Sequence, residues 1–249
     1  MLGFPRSGTT LLETILDTNP STITLSEPNT IAAVATKICE YFNVDNYVKV
    51  LDKLSISQIN ELREFYFQCV DQYVIELGGE KLLIDKMPLY SIYLPLIKIL
   101  FPQAKVIFNL RHPLDVVLSN FQQNYTINNE MAYFITLKGC VNRYIQVFDF
   151  IERVTNEIEL DLITVKYEDL LANIKYESTR LYKFLEIAYS DVNSFHLHAQ
   201  QKVINTPSSS QVNKPLYKSS QYRWRNYQEQ LSEFTPQLMK YIKKYEYSL

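Results

Sequence analysis

The sequence predicts an α/β protein with a mostly parallel sheet covered by helices on both faces. Short apolar runs at Lys81–Asp85 (KLLID), Lys105–Leu110 (KVIFNL) and Leu162–Lys166 (LITVK) read as buried strands. Segments of helical periodicity alternate with them, the rhythm of a parallel sheet. A glycine-containing turn at the start runs directly into an apolar helix. The 249 residues suit one domain, 1–249, large enough to bury about three quarters of the surface of its unfolded chain. With 47% hydrophobic and 21% charged residues, the composition excludes a disordered chain.

Each element follows from local signals. Leu11, Leu12, Ile15 and Leu16 give the first helix one apolar face, and Asn19-Pro20 ends it. Ser55 with Gln58 three residues later is a capping box opening a second helix. Its face continues through Ile59, Leu62, Tyr66, Cys69, Tyr73 and Leu77 to a stop at Gly78-Gly79. The run Tyr93–Leu100 is a short helix closed by Phe101-Pro102, and Pro113 marks another helix start, where its missing N–H costs nothing. Met131–Val154 reads as one long helix and Lys175–Leu185 as a further one. The Ser-, Asn-, Gln- and Pro-rich stretch from about 199 to 221 reads as a long loop, and long loops are often functional.

Charge and cysteine usage narrow the setting. A formal charge of −2 gives no general polyanion-binding surface, so nucleic acid is not an expected partner and any bound anion needs a local site. Cys39, Cys69 and Cys140 form no CxxC pair, and Cys69 sits at helical spacing among apolar residues, as a buried thiol does. These features, with no leader pattern and no long apolar span, give a cytoplasmic expectation with no membrane span. Met1-Leu2 leaves almost no room for a strand before the first turn, so the expected first strand is short or cut from a longer chain.

The strongest local signal is Gly3-Phe4-Pro5-Arg6-Ser7-Gly8-Thr9-Thr10-Leu11. A tight turn running into a helix presents backbone N–H groups and the positive end of the helix dipole to an anion. Gly8 permits close approach, Ser7, Thr9 and Thr10 add hydroxyls, and Arg6 offers a fork of donors suited to phosphate. GxxxxGK[ST] is absent, so this is not the nucleoside-triphosphatase form of such a loop. The plain alternative is a hydroxyl-rich helix start without a ligand. Against it stand two further cations, Lys86 in Asp85-Lys86-Met87-Pro88 and Arg111 in Arg111-His112-Pro113-Leu114-Asp115, each directly after a buried strand. Strand ends of a parallel sheet share the edge where ligands bind. Ser119 follows Arg111 by about two helical turns.

The segments GFPRSGTTLLETIL, DKMP, RHPLDVVLSNF, VKYEDL and SSSQVNKPLYKSSQYRW, in that order, resemble sulfotransferases that use 3′-phosphoadenosine 5′-phosphosulfate. The likeness covers Gly3 to about Trp224 and is strongest to a bacterial branch that often carries tetratricopeptide repeats upstream, itself similar to tyrosylprotein sulfotransferases. It implies a P-loop sulfotransferase-type three-layer fold with a central, mostly parallel sheet of four or five strands. It implies transfer of a sulfuryl group to a hydroxyl acceptor, small molecule or peptide, without a metal. An upstream tetratricopeptide region and a homodimer stay open.

By the same resemblance, Arg6, Ser7, Gly8, Thr9 and Thr10 match the loop that binds the 5′-phosphosulfate. Arg111 and Ser119 match the pair holding the 3′-phosphate, and Tyr167 a cofactor-contacting tyrosine. Ser208 to Tyr217, with Ser209, Gln211 and Lys214, match a loop folding over the cofactor, and Arg223 stands where the family has a lysine. Glu27 matches the general base of the tyrosylprotein enzymes and Lys86 a lysine near the transferring group. The chemistry agrees, since charge building on a leaving phosphate calls for fixed cations such as Arg6 and Lys86, and a hydroxyl acceptor needs one carboxylate.

Some residues depart from the pattern. No basic residue occurs in Phe121-Gln122-Gln123-Asn124, and Pro28-Asn29-Thr30 lacks an arginine to read an acidic peptide. Glu27 also reads as an ordinary surface or capping carboxylate. His112 is an alternative base, but a structural role suits its place inside the Arg111 motif better. His196 and His198 are a weak metal signal. Trp224 between two arginines suits either the core or stacking on a ring. A small-molecule kinase with a phosphate loop and an inactive nucleotide-binding module remain as other readings.

Overall fold

Lys105–Leu110 forms β4, and its residues alternate between two hydrophobic clusters. Val106, Phe108 and Leu110 point into one, and Ile107 into the other. A strand buried on both faces needs a helical layer on each side. In the computed structural model, which describes residues 1–74, 81–126, 128–192, 195, 197 and 220–249, both layers are present.

Five strands are seen among the described residues: β1 (Leu2–Gly3), β2 (Thr22–Ser26), β3 (Leu82–Lys86), β4 and β5 (Asp161–Lys166). β1, β4 and β5 pair in parallel in that order, with Leu2 opposite Phe108 and Lys105 opposite Asp161. β2 and β3 pair in parallel, with Thr22 opposite Leu82. Met1 joins the two groups, its amine donating to Asp85 O at 2.7 Å and its carbonyl accepting from Met87 N–H at 3.2 Å. The spatial order is therefore β2-β3-β1-β4-β5, all parallel, in agreement with the expected three-layer fold.

One face carries α1 (Thr9–Asp17), α7 (Tyr167–Ala172) and α8 (Ile174–Leu185), packed through Leu12, Ile15, Leu170 and Leu181. The other carries α2 (Ile31–Phe42), α3 (Ile56–Asp71), α4 (Leu94–Leu100), α5 (Pro113–Phe121), α6 (Leu137–Glu157) and a C-terminal helix, α9 (Thr235–Lys244). No helix of the described residues is long and apolar enough to cross a membrane.

The expected capping box holds: Ser55 Oγ accepts from Gln58 N–H at 3.3 Å and Gln58 Oε1 from Ser55 N–H at 2.9 Å. Three expectations need correction. α3 stops at Asp71 because Gln72 and Tyr73 N–H groups close on the carbonyls of Cys69 and Val70. Tyr73 is thus outside the helix, and Leu77, Gly78 and Gly79 lie outside the described residues. The long helix from Met131 is interrupted, because Thr136 is extended and its hydroxyl accepts from Gly139 N–H, separating a 3₁₀ turn (Met131–Ile135) from α6. Between Pro20 and Ser55, where periodicity assigns nothing, the chain forms β2 and α2. TITLS is short and half polar, and no side chain caps α2.

Because β1 is so short, the edges of β3 and β4 beside it bound a slot of about 870 Å³, lined among others by Leu82–Ile84, Lys105–Ile107, Tyr66 and Phe101. Burial of the Met1 amine at its end lowers that group to about 6. A variant with three apolar β-branched residues added ahead of Met1 is expected to fill the slot and melt higher, by about 2–4 °C for each kcal/mol gained. An unchanged melting temperature in calorimetry would show that the slot does not admit a strand.

Candidate active site

The turn between β1 and α1 is held open by its carbonyls. Asn120 Nδ2 donates to Pro5 O at 2.8 Å, Arg111 Nη1 to Arg6 O at 3.0 Å and Asn109 Nδ2 to Ser7 O at 2.6 Å. Three successive acceptors are thereby drawn back into the protein, which leaves the opposite side of the loop to N–H groups and hydroxyls. Phe4 is fully buried and anchors the entry, packing edge-on against Phe134 at 5.8 Å. Arg6 and Gly8 take left-handed backbone angles, φ 67 and 96. For Arg6 this conformation costs on the order of 1 kcal/mol, and such strain gathers at functional sites. No side chain caps α1, so its positive end faces the loop.

Both glycines are required by close packing. A Cβ on Gly3 would lie 2.7 Å from Asn109 O and from Ser7 Oγ. One on Gly8 would collide with Tyr167 Cδ2, so the tyrosine ring is wedged against the turn. Ser7, Thr9 and Thr10 are buried around it.

Arg111 and Ser119 are not apart from this loop. Besides its bond to Arg6 O, Arg111 donates through Nη2 to Ser220 O at 2.5 Å, and its guanidinium sits 5.0 Å over the Tyr167 ring. Arg6 Nε donates to Ser119 Oγ at 3.2 Å. One continuous patch therefore contains both expected anion sites. The Nε of Arg111 is buried with no hydrogen-bond partner among the described residues.

A second cluster forms where α1, β2 and β3 meet. The Lys86 ammonium is fully buried and pairs with Glu27 Oε1 at 2.9 Å and Glu13 Oε2 at 3.1 Å. The Glu13 side chain is 7% exposed and that of Glu27 34%, so only Glu27 is open to a reacting partner. Glu27 is at φ 54, and its N–H bonds Lys86 O at 2.8 Å, one residue beyond the β2–β3 ladder. Tyr125, whose phenol is pushed up by burial, lies close enough to Arg6 and Glu27 for both charges to act on it. The arrangement offers an anion cradle, three cations and an accessible carboxylate around one edge of the sheet.

Several positions in this arrangement are not legible from motifs. Asn109, Asn120, Glu13 and Tyr125 carry no local signal, although Glu13 stands one helical turn past Thr9 and Thr10, on the face toward β2. His112 is buried, bonded between Leu114 N–H and Ser248 O, and stacked on Trp224 at 5.1 Å. Burial lowers its pKa to about 4, so it is neutral at pH 7 and serves as packing. Trp224 is likewise a core residue at 4% exposure, which decides against ring stacking on a ligand. Arg223 is exposed and donates to Gln122 Oε1 at 3.3 Å. Ser208, Ser209, Gln211, Lys214, Tyr217, His196 and His198 lie outside the described residues.

Comparison with known proteins agrees with the geometry. Residues 1–191 match the model of the sulfotransferase family. A protein of Aquifex aeolicus is 28% identical over 99% of this chain and 33% of its own length. The protein-tyrosine sulfotransferase of Drosophila melanogaster is 23% identical over 89% of this chain and 46% of its own. The chain thus spans a third to about half of these curated relatives. Among solved structures, the sulfotransferase domain of the curacin biosynthetic pathway superposes with a TM-score of 0.66 at 18% identity, covering 100% of this chain and 96% of that one. The ordered loop, strand-end cations and whole-length fold all point the same way: the chain belongs to the sulfotransferase family.

Proposed function

We propose that this chain transfers a sulfuryl group from 3′-phosphoadenosine 5′-phosphosulfate to a hydroxyl acceptor, a small molecule or a peptide tyrosine. The observation that carries the reading is the meeting, at one sheet edge, of the tied-back loop with a buried lysine and an accessible glutamate. The residues fit such a donor. The orphaned Nε of Arg111 is a buried donor lacking an acceptor, and the glycine-only space between the loop, Asn109 and Tyr167 keeps the cradle free of Cβ atoms. Arg6, Ser7, Gly8, Thr9 and Thr10 would hold the 5′ side, and Arg111 with Ser119 the 3′-phosphate, over Tyr167. When bound, the donor supplies the sulfuryl group and a phosphate leaving group.

The chain's own residues would do the rest. Arg6 and Lys86 meet charge that grows on the leaving oxygen in a site already organised for it. Glu27 accepts the acceptor's proton. A carboxylate paired to one lysine would be held as a salt bridge. Glu13 shares that ammonium and leaves Glu27 a less exclusive partner. These fixed cations replace a metal in the proposal. A reducing, cytoplasmic setting belongs to the same reading: all three cysteines are free, and burial pushes the thiols of Cys69 and Cys140 up.

Calorimetry with 3′-phosphoadenosine 5′-phosphate, ADP and ATP tests the donor. The bisphosphate should bind tightest, and Arg111→Ala should cost about 2–5 kcal/mol of that affinity. Equal binding of ADP would overturn the reading.

Glu27→Gln should keep nucleotide affinity while lowering turnover about 10²–10⁴-fold. Turnover is followed as release of 3′-phosphoadenosine 5′-phosphate with a phenolic or sugar hydroxyl acceptor. A capping role would instead lower the melting temperature and leave turnover near normal. Activity should also persist in excess chelator; its loss, restored by magnesium, would favour a kinase.

A further inference from the structure

Asp115 takes no part in the chemistry above, yet its carboxylate is fully buried beside the most specific cation of the site. Its Oδ2 lies 3.7 Å from Arg111 Nη2 and accepts from Tyr222 N–H at 2.7 Å. Its Oδ1 accepts from Trp224 N–H at 2.9 Å. Those two amides flank a turn that holds Tyr222 at φ 52, a left-handed conformation that a tyrosine does not adopt without support. The same turn begins at Ser220, whose carbonyl receives Arg111 Nη2. Arg111 is thus fixed from two sides, by Arg6 O on the phosphate loop and by Ser220 O on the turn, and Asp115 holds that turn through its Tyr222 and Trp224 amides. Trp224 stacked on His112 closes the arrangement from behind.

We propose that Asp115 is a positioning residue that sets the direction of Arg111 and so makes this site select a nucleotide with a second, 3′-placed phosphate over one with a 5′-phosphate alone. The proposal rests on the nucleotide reading above and deepens it. An aspartate suits the task where an asparagine does not. Two N–H groups converge on it, and a carboxylate accepts both, whereas a carboxamide turns its own NH₂ against one of them. As the third residue of α5, Asp115 is also favoured by the helix dipole. Burial raises its pKa, and the neighbouring Arg111 opposes that rise.

The experiment compares binding of 3′-phosphoadenosine 5′-phosphate and adenosine 5′-monophosphate by calorimetry, in the unmutated chain and in Asp115→Asn. The unmutated chain is expected to prefer the bisphosphate. In Asp115→Asn that preference should fall tenfold or more, with affinity for the monophosphate changed by no more than about twofold. A merely structural role would weaken both ligands together and leave their ratio intact, which would overturn the proposal. Equal binding of both nucleotides by the unmutated chain would overturn the nucleotide reading itself, a separate result. Hydrogen exchange on the unmutated protein keeps the test open if the variant does not fold. The bisphosphate should slow exchange at the Tyr222 and Trp224 amides more than the monophosphate does, and equal protection would count against Asp115.

Discussion

The ammonium of Lys86 is the fixed point of this edge of the molecule. It is fully buried, and an ammonium taken out of water costs several kcal/mol unless its partners are well placed. The partners come from two other elements, Glu13 on α1 and Glu27 just past β2, so the three cannot separate without leaving a charge unpaired. Ser26 Oγ adds a bond to Glu13 Oε2 at 3.2 Å. The β2–β3 ladder, the place of Glu13 on α1 and the left-handed turn at Glu27 together form this one cluster. Exposure within it is unequal, with Glu13 sealed and Glu27 left at the surface.

The phosphate loop is organised by the opposite requirement. Its carbonyls must be removed from the side where an anion would sit, and Asn109, Arg111 and Asn120 each take one. Asn120 is itself fixed by Tyr125, whose hydroxyl donates to Asn120 Oδ1 at 2.8 Å. Since the donors come from β4, the residue directly after it and α5, the loop is shaped by the strand and helix beside it as much as by its own sequence. The same guanidinium that ties Arg6 O also carries the Nε left without a partner among the described residues, so the shape of the loop and that buried donor belong to one side chain.

Behind these groups lies a layer of buried polar residues that packing alone does not explain. Glu168 accepts from His112 N–H at 3.0 Å and from Tyr247 OH at 3.1 Å, and Gln221 Nε2 reaches Glu168 O at 3.3 Å. The C-terminal residues, the start of α5 and the turn at Ser220–Trp224 are thereby joined behind Arg111. Half-satisfied networks of this kind are costly, and satisfied ones hold a single arrangement.

The sequence by itself determined the strands at Lys105–Leu110 and Leu162–Lys166, the capping box at Ser55, the helix start at Pro113 and the phosphate loop. Each is written in neighbouring residues: apolar runs, a hydroxyl three positions from an amide, a proline, glycines in a turn. Lys86 and Glu27 were each legible only by likeness, and their pairing was not legible, nor were the roles of Glu13, Asn109, Asn120 and Asp115. Their roles depend on which strands lie side by side, and β1 falls between β3 and β4, which are adjacent in the chain's strand sequence. Tertiary structure likewise decided that Arg111 touches the first loop, that His112 and Trp224 are core, and that Thr136 breaks the helix after Met131. Local patterns state what a segment can form. Which group meets which side chain across 59 or 105 residues is settled only when the sheet brings them within hydrogen-bonding distance.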